Sequence, residues 1–278
     1  MLFAVCLSAC VAGASSAKAD FYVAPNGSDK NPGTKTKPFA TPAKARDALR
    51  RKIAAGLKAK MTVVVRSGRY ELTEPLVFGP EDSGTEQYSV TYAAYRGETV
   101  ILSGGRRITG WVRGEGEFWT TEVPGVREGN WSFRQLFVKG QRATRARTPN
   151  ANVELFGFSL AGADLSGDAQ TYELRFAPGQ LKSCKNVAEV EATILGEWET
   201  MRKRLQSIDE ATGLAVMAPP HVPQNVHPWN RPGPGRGCYL ENSLDFLDQP
   251  GEWHLDRSTG VLTYWPLPGE DMTKAEVI

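Results

Sequence analysis

Between residues 41 and 57 apolar side chains recur at every fourth position: Ala45, Leu49, Ile53 and Leu57. That period predicts an amphipathic α-helix with one narrow buried stripe. Thr41 offers a hydroxyl to cap its first turn, and Pro42 brings a pre-set φ to the first helical position. Around this helix the pattern shortens to β-type runs. They are residues 21–24, then "TVVVR" (62–66), "EPLVF" (74–78), "SVTYAAY" (89–95) and "TVILSGG" (99–105). β-Branched and aromatic residues fill these runs, and Gly and Pro punctuate them, as short strands joined by turns require. A turn at Ser67-Gly68 is expected after the second run. The spacing suits the first coils of a solenoid as well as a sandwich, and in a solenoid the helix would cover one end of the core.

From residue 107 to about 266 that rhythm is lost. This stretch holds longer loops and every tryptophan of the chain. "RITGWVRGEGEFWTTEVPG" predicts a hairpin, and "FRQLFVKGQRATRART" another that turns at Lys139-Gly140. In "NVAEVEATILGEWETMRKRLQSID", Val190, Ala192 and Ile194 alternate with Glu189, Glu191 and Thr193. Such alternation predicts a strand pair with one apolar face. "APPHVPQNVHPWNRPGPGRG" (218–237) is a Pro- and Gly-rich loop of a length associated with function or disorder.

Composition narrows the class. The 278 residues are 41% hydrophobic and 23% charged, with 28 Gly and 18 Pro, which suits a globular chain of many strands and turns. A net charge of +2 gives no electrostatic argument for nucleic acid. Beyond the N-terminus no apolar run is long enough to span a bilayer. Residues 1–19, "MLFAVCLSACVAGASSAKA", read as a signal peptide ending in the A-x-A pattern Ala17-Lys18-Ala19. The alternative is a lipoprotein signal at "LSAC" (7–10), with a lipid anchor on Cys10. Both predict export to the periplasm, outer membrane or medium. Cys184 and Cys238 then form either a disulfide, which export permits, or two separate buried thiols. No Cys or His repeats at metal-ligand spacing, so neither a metal nor another cofactor is expected.

The segment "FYVAPNGSDKNPGTKTKPFATPAKARDAL" followed by "VVVRSGRYELTEPLVF" is similar to the opening of right-handed parallel β-helix proteins that act on polysaccharides. The later blocks "LSGGRRITGW", "FRQLFVKGQRATRARTPN", "WETMRKRLQSID" and "YLENSLDFLDQPGEWHLDRSTGVLTYWP" resemble, in that order, glycoside hydrolase family 141. The activities of that family include α-L-fucosidase and xylanase. The resemblance covers nearly all of residues 20–278. It implies a mainly β chain in which residues 20–106 form the helix cap and first β-helix coils. Residues 107–266 would then be an inserted β-rich, sandwich-like domain, and 267–278 a return to the β-helix. It also implies a polysaccharide or oligosaccharide substrate and catalytic carboxylates beyond residue 278, so no catalytic residue is carried over. Two other functions fit the same fold. One is a non-catalytic glycan-binding or adhesin module; the other is a polysaccharide lyase, against which stands the lack of an Asp cluster suited to Ca²⁺.

Within the sequence, the acids of residues 239–266 are the obvious candidates for glycoside hydrolysis, which generally needs two carboxyl groups flanking the scissile bond. Glu241, Asp245 and Asp248 fall at i, i+4 and i+7. A helix over 241–248 would make them one solvated acidic stripe beside Leu240, Leu244 and Leu247. Glu252, His254 and Asp256 alternate with Trp253 and Leu255 on a hairpin, where Asp256 is expected to accept N–H bonds from the 257–260 turn. His221 and His227 lie in the Pro-rich loop without further ligands for a metal, and Trp229 and Arg231 of that loop either line a cleft formed with later coils or pack locally. The best binding candidates are Trp198, Glu199 and Arg202. A Trp face stacks on a sugar ring while Glu and Arg hydrogen-bond its hydroxyls. The competing reading is a partly buried Trp beside a local Glu199–Arg202 ion pair.

Overall fold

A computed structural model of the chain describes residues 19–150, 158–159, 162–164, 172–219 and 235–278. The signal segment 1–18 and the loop residues His221, His227, Trp229 and Arg231 lie outside the described residues. The described chain is mainly β, with one α-helix, and divides into two compact units, Met1–Arg106 and Arg107–Ile278.

The first unit is built from β1 (Phe21–Val23), helix α1 (Pro42–Ala54), β2 (Met61–Val65), β3 (Gly68–Glu71), β4 (Val90–Ala94) and β5 (Val100–Ser103). Its pairings are parallel. β1, β2 and β4 form one ladder, with Val63 opposite both Phe21 and Tyr92, and β3 pairs β5 with Gly68 opposite Val100. Alternation along β2 turns Met61, Val63 and Val65 inward, where they meet Phe21, Phe39 and the helix residues Ala45, Ala48 and Leu49. The helix begins where its sequence predicts. The Thr41 hydroxyl accepts from Lys44 N–H at 3.1 Å, and the Asp29 carboxylate accepts the Ala40 and Thr41 N–H groups at 2.9 and 3.0 Å. Gly33, at φ +78°, sits where a Cβ would come within 2.3 Å of the Phe39 ring, so the turn before the helix requires glycine.

One expectation in this unit is corrected. Residues 74–78 are not a strand. Pro75 removes a ladder donor, and the Val77 carbonyl is instead taken by the Arg46 guanidinium at 2.9 Å. A bidentate Arg50–Asp82 pair, both contacts 2.7 Å, fastens the same loop to the helix, and this pairing holds the Asp82 carboxyl below its ordinary range. The expected turn at Ser67-Gly68 is present as the bend between β2 and β3, with Gly68 at φ +140°; Tyr70 beyond it is buried, its hydroxyl donating to the Arg66 carbonyl at 2.8 Å.

The second unit holds β6 (Val112–Arg113), β7 (Trp119–Glu122), β8 (Leu136–Val138), β9 (Gln141–Arg145), β10 (Arg147–Thr148), β11 (Phe158–Ser159) and β12 (Gly162–Asp164). There follow β13 (Tyr172–Arg175), β14 (Glu191–Leu195), β15 (Thr200–Asp209), β16 (Leu214–Met217), β17 (Gly237–Glu241), β18 (Glu252–Leu255) and β19 (Val261–Tyr264). The predicted hairpins are present: β6–β7, β8–β9 with positive φ at Lys139 and Gly140, β14–β15 and β18–β19. One sheet runs β6-β7-β19-β18-β9-β8; the other runs β10-β17-β14-β15-β16-β13-β12, with β11 also against β17. Each has its own apolar cluster. Leu174, Val190, Ala192, Ile194, Leu205 and Leu240 fill one; Leu136, Trp253, Leu262 and Tyr264 fill the other.

The helix expected at 241–248 is absent. β17 runs through Glu241, and a single 3₁₀ turn, Leu244–Phe246, follows, capped by the Ser243 hydroxyl. Leu240 is therefore buried while Leu244 is half exposed, and Glu241, Asp245 and Asp248 share no stripe. Asp245 instead accepts Lys185 N–H at 2.8 Å, and Asp248 accepts the Asn150 amide. Cys184 and Cys238 are two free thiols, which decides between the alternatives left open by the sequence.

Candidate functional site

Antiparallel register gathers charge on one face of the second unit. Glu191 of β14 lies opposite Arg204 of β15 and Glu241 of β17, and Glu241 lies opposite Arg147 of β10. One step along, Thr193 lies opposite Arg202 and Tyr239. The apolar alternation of β14 is as predicted, but its polar face is also covered, with Glu191 3% and Thr193 1% exposed.

Facing like charges on neighbouring strands repel. Here guanidinium groups compensate. Arg145 Nη1 lies 2.9 Å from Glu191 Oε2 and 3.4 Å from Glu241 Oε1. Arg134 takes the other Glu191 oxygen, and Arg202 Nε stands 3.4 Å from Glu241 Oε1 and 3.3 Å from Thr193 Oγ1. Arg145 also lies over the Trp253 ring at 5.9 Å, and Arg147 over the Tyr239 ring at 5.7 Å. Beside the network, Arg134, Arg202, Lys203, Arg204 and Gln206 line a groove of about 500 Å³ with Glu191 at its wall.

Opposed cross-strand residues have Cβ atoms about 5 Å apart, close to the carboxyl separation of retaining glycosidases. The chemistry does not follow. Both Glu191 oxygens are occupied by arginines, and its near-complete burial leaves no face for a sugar ring. The pair binds cations of its own fold; it holds the sheet together.

Glu252 and His254, expected on a polar hairpin face, are both buried. Glu252 Oε2 accepts Asp248 N–H at 3.0 Å and Gln249 N–H at 3.4 Å, and Oε1 accepts Arg147 N–H at 3.4 Å. Burial pushes its pKa up to about 7, against the pull of those N–H groups. His254 is driven down to about 4 by burial, so its imidazole is neutral at pH 7. Asp256 accepts Ser258 N–H at 2.8 Å and Thr259 N–H at 3.4 Å, as the turn sequence predicts. Both carboxyl groups thus serve strand and turn geometry.

The three binding candidates lie on the β14–β15 hairpin. Gly196 N–H donates to the Glu199 carbonyl at 2.9 Å, which closes the turn and leaves Trp198 76% exposed at its tip. The partly buried Trp of the competing reading is therefore not found, nor is its Glu199–Arg202 pair: Arg202 pairs with Glu241. Trp198 lies in the turn, whereas Arg202 lies within β15. Trp198 and Glu199 form an exposed tip, and Arg202 belongs to the charge network. The sequence reading did not single out Arg134, Arg145 or Glu191 for the site, because only the tertiary pairing of β14 with β17 and the reach from β9 bring them together. Among the described residues no group of three or more His, Cys, Asp or Glu could hold a metal ion.

A strand-built unit with parallel returning pairs, and a second with mainly antiparallel sheets and an arginine–carboxylate face, define a β-rich protein. The family model of the GH141 insertion domain matches residues 116–267, more than half of the chain, and the chain belongs to that family. A solved structure named "Glycoside hydrolase" superposes with a TM-score of 0.74 at 29% identity, covering 92% of this chain and 45% of that one. The uncharacterized protein YwoF of Bacillus subtilis (strain 168) is 43% identical over 83 residues, which is 30% of this chain and 15% of YwoF. The chain thus spans less than half the length of the proteins it matches.

Proposed function

We propose that this chain is part of an exported glycoside hydrolase that acts on a plant or microbial polysaccharide. The observation that carries this reading is the joint match of residues 116–267 to the GH141 insertion domain and of 92% of the chain to a glycoside hydrolase structure. The first unit would be the opening coils of a right-handed parallel β-helix capped by α1. Support for that comes from β1, β2 and β4, and from β3 and β5, which return in parallel register. The second unit would be an inserted, sandwich-like domain that contacts glycan through Trp198, Glu199 and Arg202. The catalytic carboxylates would lie outside the described residues, since Glu191, Glu241 and Glu252 are all engaged within the fold. Export is supported by the signal-like residues 1–19, with a lipid anchor on Cys10 as the alternative.

The test is to incubate the purified chain with aryl α-L-fucosides and xylan, and to run it in polysaccharide-containing affinity gels. Retardation by polysaccharide without turnover is expected. Turnover that disappears in Glu199→Gln would overturn the placement of the chemistry elsewhere. Failure to bind any polysaccharide would overturn the glycan contacts.

A further inference from the structure

The outer face of β15 presents Thr200, Arg202, Arg204 and Gln206 in alternation, all exposed. Successive members of that row are about 7 Å apart along the strand. The groove beside them is lined by four cations, Arg134, Arg202, Lys203 and Arg204, and by one carboxylate, Glu191. Glu191 directs its two oxygens to Arg134 and Arg145, so it does not neutralise Arg204, which lies opposite it in register. Setting Lys203 aside and adding Arg145 and Glu241 behind the groove still leaves four arginines against two carboxylates. A concave surface carrying that surplus focuses a positive potential.

A neutral sugar has no use for such a surplus; its hydroxyls are matched by polar and aromatic groups. A carboxylate has. Guanidinium presents a planar fork of donors that matches carboxylate geometry two bonds at a time. The contacts that fix Arg202 run through Nε, to Thr193 and Glu241, and anchor the side chain at the groove. We propose that the groove over β14 and β15 is a subsite for the carboxylate of a uronic acid unit in an anionic polysaccharide. This rests on the carbohydrate reading above and narrows it to acidic glycans.

The experiment measures binding of the chain by calorimetry to three oligosaccharides of equal length. They are an oligogalacturonate, its carboxyl-reduced neutral counterpart and a sulfated galactan. The expected order places the oligogalacturonate at least about tenfold tighter than its reduced form, the scale of one charge-assisted bidentate contact. Arg204→Gln is expected to remove about that factor, and Arg204→Lys to restore part of it, both with unchanged thermal midpoints. Equal binding of the acidic and reduced forms overturns the subsite while leaving the carbohydrate reading intact. Tighter binding of the sulfated galactan overturns the carboxylate assignment. Binding of none of the three, alongside failure in the affinity gels, overturns both.

Discussion

Glu191 stands directly opposite Glu241 across the β14–β17 ladder, and a single nitrogen of Arg145 bonds to both carboxylates. The Arg145 side chain is only 10% exposed, so neither water nor salt can substitute for it. Its removal leaves two buried like charges facing each other. Breaking a buried pair in this way costs about 3–5 kcal/mol. Arg145→Met keeps the stem that packs near Trp253 and deletes the charge, and urea unfolding of the variant should show a loss of that size. A loss below about 1 kcal/mol would mean the network adds nothing to the sheet.

The buried acid and base of β18 set opposite pH dependences. Folded Glu252 keeps its proton up to about pH 7, whereas the unfolded group releases it near 4.5. Its contribution therefore falls as pH rises through that window. His254 refuses a proton until about pH 4, while the unfolded imidazole takes one up at 6.5, so its contribution falls as pH drops from 6.5 to 4. Between about pH 4.5 and 6.5 the two slopes oppose each other. Glu252→Gln leaves only the histidine slope. Its urea midpoint should climb from pH 4.5 to 6.5, by at most about 1.4 kcal/mol per pH unit in free energy, while the unmodified chain changes less. Identical profiles for the two proteins would count against this account.

Local chemistry made part of the architecture readable. The helix start depends on Thr41 and Pro42, and the β8–β9 turn on Lys139-Gly140, so four or five adjacent residues suffice to place each. The alternation of Val190, Ala192 and Ile194 likewise marked a buried strand face. Residues 74–78 misled because β-branched content says nothing of Pro75 or of guanidinium groups arriving from the helix. The 240–248 stretch misled because an i, i+4, i+7 pattern also arises when a strand passes into a 3₁₀ turn. Among the acids, Glu241, Glu191 and Glu252 look like any solvated carboxylate in sequence. Their burial is decided by strands that are 46 to 105 residues away. Trp198 could be singled out as a candidate because an aromatic beside Glu and Arg at a hairpin corner is a local feature.

The two thiols give a chemical check on the second unit. Cys238 is fully buried and Cys184 partly so, and burial raises the pKa of both. Raised thiols react slowly. Native chain should therefore modify Cys184 slowly with a disulfide reagent and Cys238 only on unfolding, and a reducing agent should leave the thermal midpoint in place. A Cys184–Cys238 linked peptide found by mass spectrometry after non-reducing digestion would contradict the arrangement.

Trp198 separates binding from stability. At 76% exposure the ring contributes little to the core, and an exposed substitution away from buried contacts shifts stability by no more than about 0.5 kcal/mol. A ring that stacks on sugar, by contrast, buries apolar area in the complex at roughly 25 cal/mol per Å². Trp198→Ala should therefore weaken retention of the chain in a neutral xylan affinity gel several-fold while its urea midpoint stays in place. Trp198→Phe should keep part of the retention, since a smaller face still stacks. Unchanged retention in both variants would remove the hairpin tip from the glycan contact and leave the arginine groove as the surface to pursue.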